Sequence, residues 1–264
     1  MNDVRIIDLT PDNISDYGVC GYKDVQKHIE LRNKIEWFKE YYPKGLRVKI
    51  IFSQKGGYQG MLEYIPGEYA HRPVDAEGYL FIHCVFVGFK NEFKGKGYAS
   101  LLIDECIEEA KENKMTGVAV ITRKGSFMAG NAIFLKKGFQ ISDSAKPDFD
   151  LLALKFDKNT EGPKFKKDMN EALKRYGEGL TIIRSVQCPY TEKNVNAILD
   201  AAAQLNLKTN LVDLKDASEV QNTPCPFGSF CLIYNGKIIS HHPISNTRFM
   251  NIMKKELKKT DLNK

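Results

Sequence analysis

What the chain lacks narrows it first. No stretch of about 18 apolar residues occurs among its 264 residues, so a membrane-spanning helix is excluded. The opening MNDVRIIDLTPDN carries acids and no apolar core, so it does not read as a secretory signal. There is no C-x-x-C pair, which argues against a zinc knuckle. The six cysteines, Cys20, Cys84, Cys106, Cys188, Cys225 and Cys231, are too sparse for a disulfide framework. Reduced thiols in a cytoplasmic protein are the expectation. No internal repeat and no low-complexity tract is present.

Charge of one sign is also missing from the body of the chain. The net charge is +6, yet residues 1–157 hold 22 Lys+Arg against 22 Asp+Glu, and residues 176–253 hold 6 against 6. The excess sits at 158–175 (6 against 3) and in the tail 254–264 (5 against 2). A linker and a tail do not make a basic groove, so neither nucleic acid nor membrane is expected as a partner.

What is present alternates strands and helices. VRIIDL, RVKIIFS, YQGMLEYI, GYLFIHCVFVGF, TGVAVIT, GFQISD and DLLALKF read as strands. KDVQKHIELRNKIEWFKEYY, SLLIDECIEEAKEN and a short piece around NAIFLKK read as helices. The break DKNTEGPKFKKDMNEALKRYGEG separates this block from a second one. There LTIIRSV and KTNLVDL are strands, TEKNVNAILDAAAQLN and NTRFMNIMKKELKK are helices, and FGSFCLIYNGKIISHH is a hairpin turning at Asn235-Gly236. The expected architecture is α/β (α+β): a domain over 1–157, a basic linker or helix over 158–179, and a smaller α/β domain over 180–264.

The most informative stretch is VFVGFKNEFKGKGYASLLIDECIEEAKE. A buried strand ends, a basic loop follows, and a helix begins directly after Lys94-Gly95-Lys96-Gly97-Tyr98-Ala99. The first N–H groups of a helix have no partner and carry partial positive charge. Gly95, Gly97 and small Ala99 let a ligand approach that backbone, and Lys94 and Lys96 add full charges. These features together describe a diphosphate seat.

This segment resembles motif A of the GNAT family of N-acetyltransferases, R/Q-x-x-G-x-G/A after the fourth strand. Lys94 stands in the Arg/Gln position, Gly97 in the Gly position and Ala99 in the Gly/Ala position. The resemblance implies that Gly95, Lys96, Gly97, Tyr98, Ala99 and Ser100 wrap the diphosphate of acetyl-CoA. It also implies that Val85, Phe86 and Val87 pair their backbone with the pantetheine arm. Phe134-Leu135-Lys136-Lys137-Gly138-Phe139 resembles the family's Tyr-x-x-x-Gly-Phe motif. By that resemblance the first domain has the GNAT mixed sheet and transfers acetyl from acetyl-CoA to an amine. The acceptor, a small-molecule or peptide amine, is not named by the sequence, nor is an oligomeric state.

Two departures stand out. The loop from Val87 to Lys94 is about two residues longer than the pattern. Phe134 occupies the position of a proton-donating tyrosine, so another group or solvent must protonate the leaving thiolate, or the domain binds acyl-CoA without rapid turnover. His83, sharing a strand face with Phe81 if the strand is regular, is the candidate base, against the alternative of a satisfied core histidine. Glu63, Glu68 and Glu77 are candidate acids of an acceptor rim, against solvated loop residues. Gly67–Pro73 is the expected acceptor-facing loop.

In the second block, Cys188 opens a helix, where a thiolate is stabilised. Cys188-Pro189-Tyr190-Thr191 resembles the glutaredoxin Cys-Pro-Tyr-Cys site with Thr191 in place of the resolving cysteine. The order of elements is similar to a thioredoxin-like fold, with Pro226 as the candidate cis-proline. The pairing of both blocks resembles the YoaP-type acetyltransferases. A redox role for Cys188 needs a partner thiol, for which Cys225 and Cys231 are candidates. The spacing of Cys225, Cys231, His241 and His242 fits no common metal site, so no metal is expected. The leading expectation is an acetyl-CoA-dependent N-acetyltransferase acting by direct attack. The alternative is a thiol-redox or thiol-binding protein using Cys188, whose first domain only senses acyl-CoA. A third, an interaction module using the basic tail, is disfavoured by the balanced charge.

Overall fold

The computed structural model describes residues 4–262. The first three residues of the N-terminal segment, and Asn263 and Lys264 of the basic tail, lie outside them. In chain order the first block comprises β1 (Val4–Asp8), α1 (Ile14–Tyr17), α2 (Ile29–Tyr41), β2 (Arg47–Ser53), β3 (Gly57–Pro66), β4 (Val74–Asp75), β5 (Tyr79–Val87), α3 (Tyr98–Glu112), β6 (Gly117–Arg123), α4 (Ala132–Leu135), β7 (Gln140–Ala145) and β8 (Phe149–Lys155). Then follow β9 (Lys164–Phe165), α5 (Met169–Leu173), β10 (Leu180–Ser185), α6 (Pro189–Gln204), β11 (Thr209–Leu214), α7 (Ala217–Gln221), β12 (Phe230–Tyr234), β13 (Lys237–Ser240) and α8 (Asn246–Leu262).

Seven strands form one mixed sheet in the order β1-β2-β3-β5-β6-β8-β7. Only β5 and β6 run parallel; the other neighbours are antiparallel. A four-stranded sheet follows in the order β11-β10-β12-β13, with β10 and β11 parallel and the rest antiparallel. The expected α/β class with mixed sheets is therefore what the chain forms.

Side chains along a strand alternate between faces, and the centre of the large sheet uses both. Leu80, Ile82, Val118, Val120 and Leu152 face α3 in one core. Their neighbours Phe81, Ala119, Ile121, Phe149 and Leu151 face the other way, into a core shared with Ile182, Val195, Phe230 and Phe249 of the second block. A third core packs α2 against β2 and β3. The two blocks are thus fused through a continuous apolar layer. At roughly 2 kcal/mol per buried large apolar side chain, parting them is costly. The segment 158–179 is held down as well: β9 pairs with β4, and Phe165 is buried.

One helix is shorter than expected. The pattern from Lys23 to Tyr42 becomes helical only at Ile29, because Asp24 Oδ1 accepts the N–H groups of Gln26 at 3.1 Å and Lys27 at 3.2 Å. That local turn competes with helix hydrogen bonding. Among the described residues no helix is long and apolar enough to cross a membrane.

Candidate active site

The parallel pair β5 and β6 separates along its length. Tyr79–Ile82 pair with Gly117–Val120, and beyond Ile82 the β6 side of β5 has no strand partner. On its other side β5 meets β3 with a shifted register: Glu63 lies opposite Cys84 and Tyr64 opposite Ile82, which leaves His83 as a bulged residue. The strand is therefore not regular at His83, although its ring still meets that of Phe81, with centroids 5.8 Å apart.

The opening between β5 and β6 is a cavity of about 550 Å³. Its walls are Ile82–Val87 of β5, Val120 and Ile121 of β6, the loop Phe127–Ala129, and Cys20, Cys188 and Tyr190. A smaller cavity of about 260 Å³ adjoins it through Val87 and is lined by Phe93, Lys94–Ser100 and Ile133. The sequence-read candidates Val85, Phe86 and Val87 and the loop Lys94–Ser100 are thus brought to two neighbouring cavities.

The loop is open in the way its sequence suggests. Gly95 and Gly97 have φ of +68° and +81°, a conformation glycine adopts without strain, and a Cβ at either would meet nothing within 4 Å. Gly97 caps α3. Among the described residues the backbone N–H groups of Gly95, Lys96, Gly97, Tyr98, Ala99 and Ser100 find no protein acceptor; the first to do so is Leu101, to Gly97 at 3.0 Å. The longer approach from Val87 is folded as a 3₁₀ turn over Asn91–Phe93, with Phe93 buried beside Tyr98. Phe134 is fully buried, its ring 5.4 Å from that of Phe139.

His83 is placed against a role as base. Its Nε2 accepts the His71 N–H at 2.9 Å, so Nδ1 carries the proton and donates it to Glu63 Oε1 at 3.1 Å. Both nitrogens are occupied, and burial lowers its pKa to about 4 against a smaller upward pull from Glu63. This is a satisfied core histidine whose backbone bulge, rather than ring, shapes the cavity.

Glu63 is likewise interior rather than on an acceptor rim. Its side chain is fully buried and ion-paired with the equally buried Lys34. Burial alone would raise the carboxyl pKa, but the Lys34 ammonium and the His83 hydrogen bond hold it well below the usual range. Gln187 Nε2 adds a third partner at 2.7 Å. Glu68 and Glu77 are exposed and do not line the cavity.

The loop Gly67–Pro73 faces the second block instead of an acceptor. Arg72 Nη1 donates to the His71 carbonyl and lies 3.4 Å from Ser229 Oγ and 3.5 Å from Gln187 Oε1. Gln221 Nε2 reaches the carbonyls of Glu68 at 3.0 Å and Ala70 at 3.1 Å. Gly228 sits so close that a Cβ there would lie 2.9 Å from the His71 oxygen.

Cys188 caps α6, as its sequence position implies, and opens into the same cavity as Val85–Val87. Its thiol neighbours there are Cys20 and Cys84 of the first block. The partners considered from sequence are elsewhere: Cys225 and Cys231 are buried in the core around the second sheet, and Cys225 Sγ lies 3.3 Å from His241 Nδ1. Burial opposes ionisation of Cys225, but the neighbouring Cys231 and His241 outweigh it and lower its pKa. Pro226 is not cis: among the described residues the cis bond is Lys146–Pro147. Pro226 instead lies in a turn closed by the Gly228 N–H on the Cys225 carbonyl at 2.8 Å. All six cysteines are free, and among the described residues no cluster of three or more His, Cys, Asp or Glu could hold a metal.

Two contributors were missed from sequence. Cys20, at φ +55°, is held by Tyr58 Oη, 3.1 Å from its N–H, and by Tyr190, whose O–H donates to its carbonyl at 2.7 Å. Tyr190 itself lines the cavity from the second block. Nothing local marks Cys20, since its placement depends on residues far along the chain.

Comparison with known proteins agrees with the resemblance. A family model described as YoaP-like matches residues 209–251. The chain is 26% identical over 251 residues, 94% of its own length and 97% of the relative's, to a Bacillus subtilis (strain 168) protein described as the uncharacterised N-acetyltransferase YoaP. Among solved structures, yncA of Salmonella typhimurium, with its cofactor acetyl-CoA, aligns at TM-score 0.43 and 15% identity over 60% of this chain and 97% of that one. The GNAT-family N-acetyltransferase YhbS of Escherichia coli, in complex with CoA, aligns at TM-score 0.39 and 14% identity over 63% of this chain and 92% of that one.

Proposed function

We propose that this YoaP-like chain is an acetyl-CoA-dependent N-acetyltransferase of GNAT type, moving an acetyl group to a primary amine by direct attack in the cytoplasm. The observation that carries the reading is the run of six N–H groups from Gly95 to Ser100, without acceptors among the described residues, at the start of a 15-residue helix. Such a row, with Lys94 and Lys96 beside it, fits a diphosphate.

In this reading residues 1–157 form the transferase domain, 158–179 the basic linker, and 180–264 a YoaP-type, thioredoxin-like domain. Acetyl-CoA supplies the activated acyl group. Lys94–Ser100 would hold its diphosphate, and the unpaired edge of Val85–Val87 would take the pantetheine arm. That arm would deliver the thioester into the larger cavity, whose mostly apolar walls exclude water. The cavity side chains include no carboxylate, and both His83 nitrogens are occupied, so the acceptor attacks as the neutral amine and its surplus proton leaves through water or a thiol.

Titration calorimetry of the full chain with acetyl-CoA tests this. Saturable binding that Gly97→Val abolishes, while the fold persists, is the expected result. Absence of binding to the wild-type chain would remove the reading.

A further inference from the structure

We propose that Cys188 is the proton donor to the sulfur that departs during acyl transfer, so that the second block completes a site the first block leaves without an acid. This rests on the transferase reading above.

The argument begins with Phe134. Its phenyl ring has no proton to give and is packed against Phe139 inside the α3 core. A side-chain acid must therefore come from the cavity walls, where the groups bearing a dissociable proton are Cys20, His83, Cys84, Cys188 and Tyr190. His83 gives its one ring proton to Glu63. Tyr190 gives its own to the Cys20 carbonyl. Cys20 is buried, its Sγ 3.6 Å from Met61 Sδ. Cys84 lies mid-strand; burial, reinforced by the nearby Glu63 carboxylate, pushes its thiol up to about 12. Cys188 remains. It is half-buried, opens into the cavity, and sits at the N-terminus of the 16-residue α6.

The neighbours of Cys188 hold it there from both sides. Lys34 Nζ donates to the carbonyl of Gln187 at 2.7 Å, and Gln187 Nε2 donates to Glu63 Oε1 at 2.7 Å. Two residues beyond Cys188, Tyr190 is tied to Cys20. Both ties end on first-block residues, so the orientation of the second block fixes where the thiol points.

The step balances without a further reactant. The amine nitrogen forms a C–N bond to the acyl carbon, and the C–S bond to CoA breaks. The electron pair on that sulfur takes the proton of Cys188, and the Cys188 thiolate recovers the surplus proton of the new amide. The net change is amine plus thioester to amide plus thiol, with Cys188 restored.

The test uses the full chain and probes that need no acceptor. CoA disulfide is offered as a proximity probe, since the Cys188 thiolate can displace one CoA thiol and retain the other half. One CoA per chain, mapped by peptide mass spectrometry to Cys188 and absent in Cys188→Ala, is expected. The pH midpoint for iodoacetamide alkylation of Cys188 is then compared in CoA and in desulfo-CoA. Two facing thiols cannot ionise independently, so the midpoint is expected to be higher with CoA. If calorimetry detects CoA binding but the adduct forms elsewhere, or the midpoints coincide, the assignment is overturned and the transferase reading stands. If CoA does not bind, the transferase reading fails and this one with it. An acetyl group trapped on Cys188 from acetyl-CoA would also overturn it, because Cys188 would then be an acyl carrier.

Discussion

The side-chain amide of Gln187 donates to Glu63 Oε1 at 2.7 Å, joining the residue before Cys188 to a carboxylate buried beneath the β5 bulge. Glu63 also accepts from His83 and pairs with Lys34, and Lys34 returns to the Gln187 carbonyl. The loop of bonds closes across the junction of the two blocks. It places the cap of α6 against the strand expected to carry the pantetheine arm.

Breaking this loop should be expensive. Glu63→Leu leaves the Lys34 ammonium buried without its partner, a loss of about 3–5 kcal/mol. Denaturant unfolding of the variant measures it. Lys34→Met combined with Glu63→Leu is expected to recover much of the loss, since the Lys34 charge is then removed along with its partner's.

The same network sets an acid limit. The His83 pKa falls from its ordinary value near neutrality to about 4 because burial disfavours the charged ring, and burial lowers His71 as well. The unfolded chain therefore binds more protons than the folded one between pH ~6.5 and pH ~4, and stability falls as pH drops through that window. The His83 share is on the order of 3 kcal/mol. Glu63, held low, adds loss only at more acidic pH. Thermal melts from pH 7 to pH 4 should show the decline, and His83→Gln should reduce it by the His83 share, leaving that of His71.

The open glycine loop ahead of α3 was legible because it is local. Gly95, Gly97 and the start of α3 lie within a few residues, and turn and cap chemistry follow from adjacent residue types. The helix cap at Cys188 was legible for the same reason. The roles of His83 and Glu63 were not. A bulge is a property of strand pairing, and the partner that draws Glu63 inward is Lys34, on a different element. The Gly67–Pro73 loop read as acceptor-facing because its mixed polarity is equally suited to a junction. Contacts from the second block distinguish the two: Gly228 packs on His71 and Arg72, and Gln221 reaches the Glu68 and Ala70 carbonyls.

Restoring a tyrosine at the motif position should fail. Phe134→Tyr places a hydroxyl in a fully buried, apolar site and costs about 1–3 kcal/mol when unpaired. Turnover of acetyl-CoA is expected not to rise, and chemical denaturation to show the destabilisation.

Truncation after residue 157 should not yield a folded transferase. Phe81, Ile121, Phe149 and Leu151 would lose the second-block side of their shared core. The expected product exposes that face, binds a hydrophobic dye and self-associates, as size-exclusion chromatography would record.

Gly97→Ala separates strain from ligand contact. At φ +81° the added Cβ costs about 1–2 kcal/mol of stability, and it stands where a diphosphate would approach. CoA affinity is expected to drop by at least about tenfold, more than this destabilisation of a folded chain can cause. Gly177→Ala, at a glycine without positive φ and with nothing within 4 Å, is the control and should leave binding unchanged.

Backbone amide exchange across residues 95–100, read with and without CoA by hydrogen–deuterium mass spectrometry, addresses the anion grip itself. The account requires these six N–H groups to exchange freely in the apo chain and to become protected together when CoA binds. CoA bound at saturation with exchange from Gly95 to Ser100 unchanged would contradict it.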